Sequence, residues 1–328
     1  MTPTLALILA VQEPKAPGKF VDTARLLPYT KSADVGDYYV RPPYANAPEL
    51  TPRTDVPKGR VVRFTMDSRE SRFYPGIDKT KPGVIVPYTR RVTVYIPATP
   101  GPKPLPFSIT QDSMGQGVMP TMLDNMIADK RLPAMAAIFM DSGGNDSYGS
   151  QRGLEYDTLN GHFAEFVEAE VLPRVEKECG IKLTKDPNGR MTMGGSSGGA
   201  CAFTMAWYHP DLYHKVLSYS GTFVNQQWPP DPDTLRGAWE YHATLIPNAK
   251  RKPLRVWLHV SEHDLRYLDP EETWHNWPMS DDRMAKALKA KGYPYQFVYS
   301  YDSVHVDGRV VNQTLPQAME WVWKGYRK

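Results

Sequence analysis

A stretch rich in glycine and serine, residues 193–199, most constrains what this chain can fold into. Within it, residues 195–199 read GSSGG and match the pattern G-x-S-x-G, with Ser197 at the centre. Residues 190–193 before it are typical of a short strand, and residues 200–207 after it are typical of a buried helix. A serine on such a strand-to-helix turn projects its Oγ from the top of a sheet, and glycines permit the tight backbone. The stretch therefore predicts a nucleophile elbow at Ser197, with a glycine-rich anion-binding loop or a plain turn as the alternatives.

Strand-like and helix-like segments alternate along most of the chain. The predicted strands are at 60–66, 90–96, 106–110, 134–140, 190–193, 215–221, 254–260 and 295–301. The predicted helices are at 121–129, 163–177, 200–207, 281–291 and 314–326. Alternation of this kind indicates a parallel sheet with helices on both faces. Together with the elbow it predicts the α/β-hydrolase fold, in the α/β class, with a mostly parallel central sheet.

Three regions are distinguished along the chain. Residues 1–20 form a possible leader, because the apolar run at 5–11 resembles the core of a signal peptide. This run predicts a periplasmic or secreted protein, with the cytoplasm as the alternative. Residues 21–59 are rich in proline and show no sustained period, which predicts an extended arm, and residues 60–328 form the α/β-hydrolase domain. No other stretch is long and apolar enough to span a membrane.

The charge of the chain is nearly balanced. Its 328 residues include 39 basic and 36 acidic side chains, for a formal net charge of +3. This balance argues against a nucleic-acid or membrane-surface partner. No phosphate-loop or dinucleotide motif is present, so no cofactor is expected. The two cysteines, Cys179 and Cys201, fit no metal motif and are predicted to be buried free thiols, although a disulfide stays open.

An elbow serine needs a base and an orienting carboxylate, which in this fold follow later strands in the order serine, acid, histidine. His305 follows the strand at 295–301 and is the predicted base. The strand at 254–260 runs into two carboxylates. Asp264 is the preferred acid because a loop needs a few residues to turn back toward the histidine, and Glu262 is the alternative.

Two further features surround these residues. His259, Glu262 and His263 have the spacing H-x-x-E-H, but a zinc site of that type needs a helix, and His259 lies in a predicted strand. No metal is therefore expected. The oxyanion hole is predicted to use the backbone N–H of Gly198 and that of Asp112 or Ser113 in the loop after an early strand. Asp112 is equally interpreted as a turn former.

The chain resembles an esterase family of α/β-hydrolases over about residues 60–328. This family includes enterochelin esterases, esterase D, and carbohydrate esterases that act on feruloyl or acetyl groups; the nearest resemblance is to bacterial enterochelin-esterase-like proteins. The resemblance rests on six short segments: RVTVYIP at 91–97, QD at 111–112, RGLEY at 152–156, GSSGG at 195–199, HPDLY at 209–213 and TLP at 314–316.

The resemblance implies Ser197 as nucleophile, Asp264 as acid and His305 as base, acting on a small ester that is sugar- or siderophore-linked. It also implies that Arg152 and Glu155 are structural or shape the pocket. The chain departs from the family by having Ser113, Ser261 and Val304 where glycines are usual.

The expected function is that of a serine carboxylic-ester hydrolase with an acyl-enzyme intermediate. Trp274 and Trp277 lie between the acid and base loops and are interpreted either as pocket walls or as packing residues at helical spacing. Acyl transfer by the same three residues is the first alternative function, and a hydrolase fold retained as a binding protein is the second. The sequence leaves the identity of the ester and the oligomeric state open.

Overall fold

The computed structural model describes residues 20–78, 81, 83–100, 104–144 and 150–326. The predicted leader, with its apolar run at 5–11, lies outside these residues.

A single sheet of ten strands forms the centre of the molecule, in the spatial order β1-β2-β10-β9-β8-β7-β5-β6-β4-β3. The strands are β1 (Leu27–Pro28), β2 (Gly36–Val40), β3 (Arg60–Asp67), β4 (Thr89–Ile96), β5 (Phe107–Gln111), β6 (Ala136–Met140), β7 (Arg190–Gly195), β8 (Lys215–Tyr219), β9 (Arg255–His263) and β10 (Tyr295–Val304). Among the described residues, the two antiparallel pairings are those of β4 with β3 on one side and with β6 on the other. The predicted mostly parallel α/β fold is confirmed.

Helices cover both faces of the sheet. The α-helices are α1 (Met119–Ala128), α2 (Gln151–Tyr156), α3 (His162–Phe166), α4 (Leu172–Cys179), α5 (Ser197–Tyr208), α6 (Ile246–Asn248), α7 (Trp277–Ala290) and α8 (Gly308–Trp323). One apolar core includes side chains of α3, α4, α5 and α7, and the other includes those of α1 and α8. Neighbours on one strand divide between the two cores, as Val216 and Leu217 do, because successive strand side chains point to opposite faces. Within the described ranges, no helix has the length and apolar character that a membrane span requires.

The N-terminal arm forms one edge of the sheet. Strand β2 pairs in parallel with β10, with Gly36 opposite Gln296 and Val40 opposite Ser300. Beyond β2, the hydroxyl of Tyr44 donates to the carbonyl of Tyr301. The sequence predicts an extended arm here, and the structure adds that its backbone hydrogen bonds are made to the last strand.

Both cysteines are buried and neither forms a disulfide. Burial raises the pKa of the Cys201 thiol well above its ordinary value. Cys201 lies in α5, where it packs in the core, so it is a small apolar residue of the interior.

Candidate active site

The turn between β7 and α5 has its apex at Ser196. This residue has φ 56° and ψ −132° and lies between the last residue of β7 and the first residue of α5. Its N–H donates to the carbonyl of Tyr219 at 3.0 Å, and its own carbonyl accepts from the N–H of Thr222 at 3.1 Å. A positive φ is strained for a residue with a Cβ and is typical of a nucleophile elbow. The prediction that Ser197 occupies the apex is therefore wrong, and the turn lies one residue earlier.

Ser197 points away from the surface instead. Its side chain is fully buried, and its Oγ accepts a hydrogen bond from Gln226 Nε2 at 3.1 Å. Two overlapping segments, 194–198 and 195–199, both match G-x-S-x-G. The pattern alone does not choose between them, because the choice depends on where strand β7 ends.

Two glycines make this turn possible by close approach. A Cβ added at Gly194 would lie 2.4 Å from the backbone carbon and oxygen of Gly198. A Cβ added at Gly198 would lie 3.0 Å from Cβ of Gln111, at the end of β5. A side chain at Gly194 would therefore push strand and helix apart, and one at Gly198 would press on the end of β5.

An open cleft of about 1140 Å³ lies at the carboxyl ends of the central strands. Ser196 and His305 both line it. The other lining residues are mostly polar or small: Thr65, Thr89, Arg91, Asp112, Met114, Asp141, Ser142, Gly143, Gly144, Arg152, Gly195 and Val306. The structure thus places the apex serine and the predicted base in one cleft.

His305 is held by Asp264. The distance from His305 Nδ1 to Asp264 Oδ1 is 2.5 Å, and Asp264 is 1% exposed. The carboxylate also accepts from the hydroxyl of Ser220 at 2.6 Å and from the N–H of Leu265 at 2.8 Å. Burial alone would raise the pKa of Asp264, but the hydrogen bonds and the charge of His305 outweigh it, so the pKa lies below its ordinary value. Asp264 is thus a charged partner for the histidine.

The alternative acid, Glu262, has a different contact. Its Oε2 accepts from the backbone N–H of Asp302 at 3.0 Å. Glu262 therefore ties β9 to β10, whereas Asp264 contacts the imidazole.

The ring of His305 is also supported from the side. Trp277 meets it edge to face, with ring centroids 6.1 Å apart and planes at 88°. Trp277 is 3% exposed and begins α7, so it packs against the predicted base. Trp274 precedes that helix in a left-handed conformation and lies under Arg236. The two tryptophans are therefore not at helical spacing, contrary to the sequence interpretation.

The N–H groups predicted for an oxyanion hole depend on the position of the elbow. Because Ser196 is the apex residue, the N–H that follows it belongs to Ser197 rather than to Gly198. In the loop after β5, the N–H of Ser113 donates to the carbonyl of Met140 at 3.2 Å. The N–H of Asp112 makes a longer hydrogen bond of 3.3 Å to the hydroxyl of Tyr156. Both predicted loop N–H groups therefore have an acceptor within the protein.

Arg152 and Glu155 both belong to ion pairs. Arg152 Nη2 lies 2.6 Å from Asp112 Oδ2 on the wall of the cleft. Glu155 is buried and lies 2.7 Å from Arg90 Nη2, and it also accepts from the N–H of Gly143. Arg152 thus shapes the cleft directly, and Glu155 supports its wall from behind.

The H-x-x-E-H residues do not converge. His259 is fully buried within β9 and its Nε2 lies 2.8 Å from Ser300 Oγ. Burial lowers its pKa to about 4. His263, at the end of β9, lies edge to face with Tyr267. Among the residues that the structure covers, no group of three or more His, Cys, Asp or Glu side chains is placed to hold a metal ion.

A polar group behind the elbow was not predicted. Gln226 Nε2 donates both to Ser197 Oγ and to Asp157 Oδ2, each at 3.1 Å. Asp157 is 4% exposed, and burial raises its pKa to about 6 against the hydrogen bonds from Gln226 and Ser197. No sequence motif marks these residues, because they meet only through the fold.

A mostly parallel sheet, a strained serine on a strand-to-helix turn and a carboxylate–histidine pair at later strand ends define an α/β-hydrolase. Residues 86–320 match the family described as "Putative esterase". This is most of the chain, so the protein belongs to that family of esterases, whose class is the carboxylic ester hydrolases. No curated protein sequence matches the chain.

Solved structures of esterases share the fold. An enterobactin esterase from Shigella flexneri is 17% identical with a TM-score of 0.55, over 82% of this chain and 61% of that one. A ferulic acid esterase from the anaerobic fungus Anaeromyces mucronatus is 12% identical with a TM-score of 0.59, over 85% and 96% of the two chains. A further ferulic acid esterase is 17% identical with a TM-score of 0.57, over 82% and 99%. This chain therefore spans less than two thirds of the Shigella enzyme.

Proposed function

We propose that the protein hydrolyses carboxylic esters through an acyl-enzyme, with Ser196 as nucleophile, His305 as base and Asp264 as orienting acid. One observation carries the proposal: the strained Ser196 shares a cleft with a histidine that lies 2.5 Å from a buried carboxylate. A strained turn is costly to keep, and its use is to present the serine hydroxyl to a substrate.

The chemistry follows from these positions. Asp264 accepts from Nδ1–H of His305, which leaves Nε2 free to take the proton of Ser196 as its oxygen attacks the ester carbonyl. The N–H groups of Ser197 and Asp112 stabilise the negative charge on the tetrahedral intermediate. His305 then protonates the departing alcohol, and a water molecule activated by the same histidine releases the acid.

The cleft favours a polar ester. Its wall includes two ion pairs, Arg152–Asp112 and Arg91–Asp141, the second at 2.6 Å. Charged walls are suited to hydroxylated or amide-bearing substrates, because such groups replace the hydrogen bonds to water that they lose. The similar structures include enzymes named for enterobactin and for ferulic acid. Sugar- or siderophore-linked esters are accordingly the first substrates to test.

A fluorophosphonate probe tests the mechanism, because it labels an activated serine covalently. We expect the native protein and Ser197→Ala to be labelled, and Ser196→Ala not to be labelled. Labelling that persists in Ser196→Ala and disappears in Ser197→Ala would show that Ser197 is the nucleophile. If the probe does not label the native protein, the proposed serine mechanism is wrong. A panel of feruloyl, acetyl-sugar, siderophore and short p-nitrophenyl esters then identifies the substrate class.

A further inference from the structure

A second large cavity lies at the opposite end of the sheet from the cleft. Its volume is about 1100 Å³, and it is lined by the first residues of β8, β9 and β10, which are Lys215, Arg255 and Tyr295. The cleft lies where the parallel strands end, so the two cavities share no lining residue. Chemistry in this second cavity is therefore separate from ester hydrolysis.

Lys215 differs from the other buried cations. Among the described residues, three lysine or arginine side chains are buried: Arg90, Arg190 and Lys215. Arg90 lies 2.7 Å from Glu155, and Arg190 lies 2.7 Å from Glu168. Lys215 is 7% exposed, and its Nζ donates to the carbonyl of Asn188 at 2.6 Å. No carboxylate of the described chain forms an ion pair with it.

A second cation stands directly beside Lys215. Lys215 and Arg255 are register partners on adjacent parallel strands, so their side chains lie on the same face of the sheet. Arg255 is partly buried, donates weakly to the carbonyl of Trp321 at 3.4 Å, and has no ion pair within the ranges that the structure describes. Burial and the charge of Arg255 lower the pKa of Lys215 to about 8. Two like charges held side by side on the wall of a cavity favour an anion bound between them.

Aromatic rings and further basic residues surround the pair. Lys215 Nζ lies 5.3 Å from the ring centre of Trp323 and 5.4 Å from that of Tyr326. Two carboxylates also line the cavity. Asp37 lies 3.2 Å from Arg25. Asp186 accepts from the N–H of Asn188, and its charge opposes the lowering of the Lys215 pKa without forming an ion pair with that side chain. Arg251 and Lys252 also line this cavity. The residues that line the cavity therefore carry a net positive charge.

We propose that Lys215 and Arg255 bind a phosphate group in this cavity, as free phosphate or as a phosphate ester. Phosphate and phosphate esters carry about −1.5 to −2 charges near neutral pH, so they match two adjacent cations, and the guanidinium fork suits their oxygens. The volume beyond the pair is large enough for an organic group attached to the phosphate. Binding here is independent of Ser196 and of the proposed esterase activity.

Thermal unfolding of the full chain tests the proposal, with inorganic phosphate and glucose 6-phosphate titrated at constant ionic strength. We expect a saturable rise in Tm for the native protein, because a ligand that binds the folded state stabilises it. Lys215→Met and Arg255→Met should each weaken binding at least about tenfold, since each removes one charge–phosphate hydrogen bond. Lys177→Met removes one exposed charge elsewhere and should bind as the native protein does.

The two probes also separate the sources of phosphate. Tighter binding of glucose 6-phosphate supports a phosphate-ester site, and equal or tighter binding of inorganic phosphate supports a free-phosphate site. If one methionine variant does not fold, the other methionine variant still tests the proposal. The variant Arg255→Lys keeps the charge and should keep most of the phosphate binding. The absence of a saturable shift, or an equal shift in the native protein and both methionine variants, would overturn the proposal.

Discussion

Each side of the elbow has a serine and a buried carboxylate, but the pKa values of the two carboxylates are shifted in opposite directions. On the cleft side, Ser196 shares a cavity with His305, and Asp264 lies behind the histidine. On the core side, Ser197 contacts Gln226, and Asp157 lies behind the amide. Both carboxylates are buried, yet the pKa of Asp264 lies below its ordinary value whereas burial raises that of Asp157 to about 6.

The difference shows what a buried carboxylate needs in order to stay charged. Asp264 has a partner that can be cationic and three other donors, from Ser220, Ser261 and Leu265. Asp157 has neutral donors, Gln226 and Ser197, and the negative charge of Asp112 acts against it. Neutral hydrogen bonds repay less of the desolvation cost than a cationic partner does. One side is therefore suited to acid–base chemistry, and the other is suited to holding the turn in place.

The largest expected effect is the difference in kcat between the alanine variants of the two serines. Ser196→Ala should lower kcat for a p-nitrophenyl ester by about 10³-fold or more, because it removes the proposed nucleophile. Ser197→Ala should stay within about tenfold of the native kcat, because only a buried hydrogen bond is lost. Steady-state kinetics on both purified variants measures the contrast. If kcat falls by a comparable factor in both variants, the two serines do not differ in their importance for catalysis.

The next effect is on the carboxylates near the base. Asp264→Asn should lower kcat by about 10²–10⁴-fold, because an amide does not stabilise the imidazolium and can favour the wrong tautomer. Glu262→Gln is the matched control, since its carboxylate accepts from a backbone N–H of β10, and it should change kcat little. The same assay measures both variants. A greater loss in Glu262→Gln would make that residue the acid.

A third effect concerns stability rather than rate. The pKa of Asp157 rises from 3.8 to about 6 on folding, so its contribution to stability is complete below pH 3.8 and is lost as the pH rises through 6. The loss amounts to about 3 kcal/mol for a shift of about two units. Asp157→Asn lacks this titration and should therefore gain about that much on the native protein between pH 4 and pH 7.5.

Chemical denaturation at both pH values measures the free energy of unfolding of each protein. The expected signature is a difference between variant and native protein that grows with pH. A difference that stays constant would show that folding does not raise the pKa of Asp157.

The smallest expected effect is at Gln226. Gln226→Leu removes the donor that serves Ser197 and Asp157 together, which should cost about 1–3 kcal/mol of stability through unsatisfied buried groups. The rate should fall less than tenfold, because no group that touches the substrate is removed. Thermal unfolding and kinetics on the same preparation compare the two losses. A rate loss as large as that of Asp264→Asn would instead give the core side a direct part in catalysis.

Much of this site can be predicted from local sequence. His305 and Asp264 could be chosen because each follows an apolar strand, and the carboxyl ends of parallel strands meet at one edge of a sheet. The predicted apex of the turn lies one position too late, because glycines at 194, 195, 198 and 199 fit two alignments of the motif. The end of β7 decides between them, and strand ends are the least predictable feature of an element.

Other features depend on distant partners. Asp157 follows the last residue of α2 and Gln226 lies in the loop after β8, so the two residues meet only in the folded chain. Strand β2 lacks a clear pattern of its own, because its partner is the last strand of the chain. Pairing over such a separation is set by the rest of the sheet and not by the residues of the strand itself.

The pairing of β2 with β10 also has a consequence for biosynthesis. Gly36 leaves the ribosome long before its register partner Gln296, and at about 5–20 residues per second the interval is on the order of 10–50 s. During that time β2 lacks its partner β10, while the central strands can already assemble. The nascent chain must keep this segment soluble and unpaired until translation is almost complete. Its prolines and charged side chains suit that interval, because they discourage association with neighbouring chains.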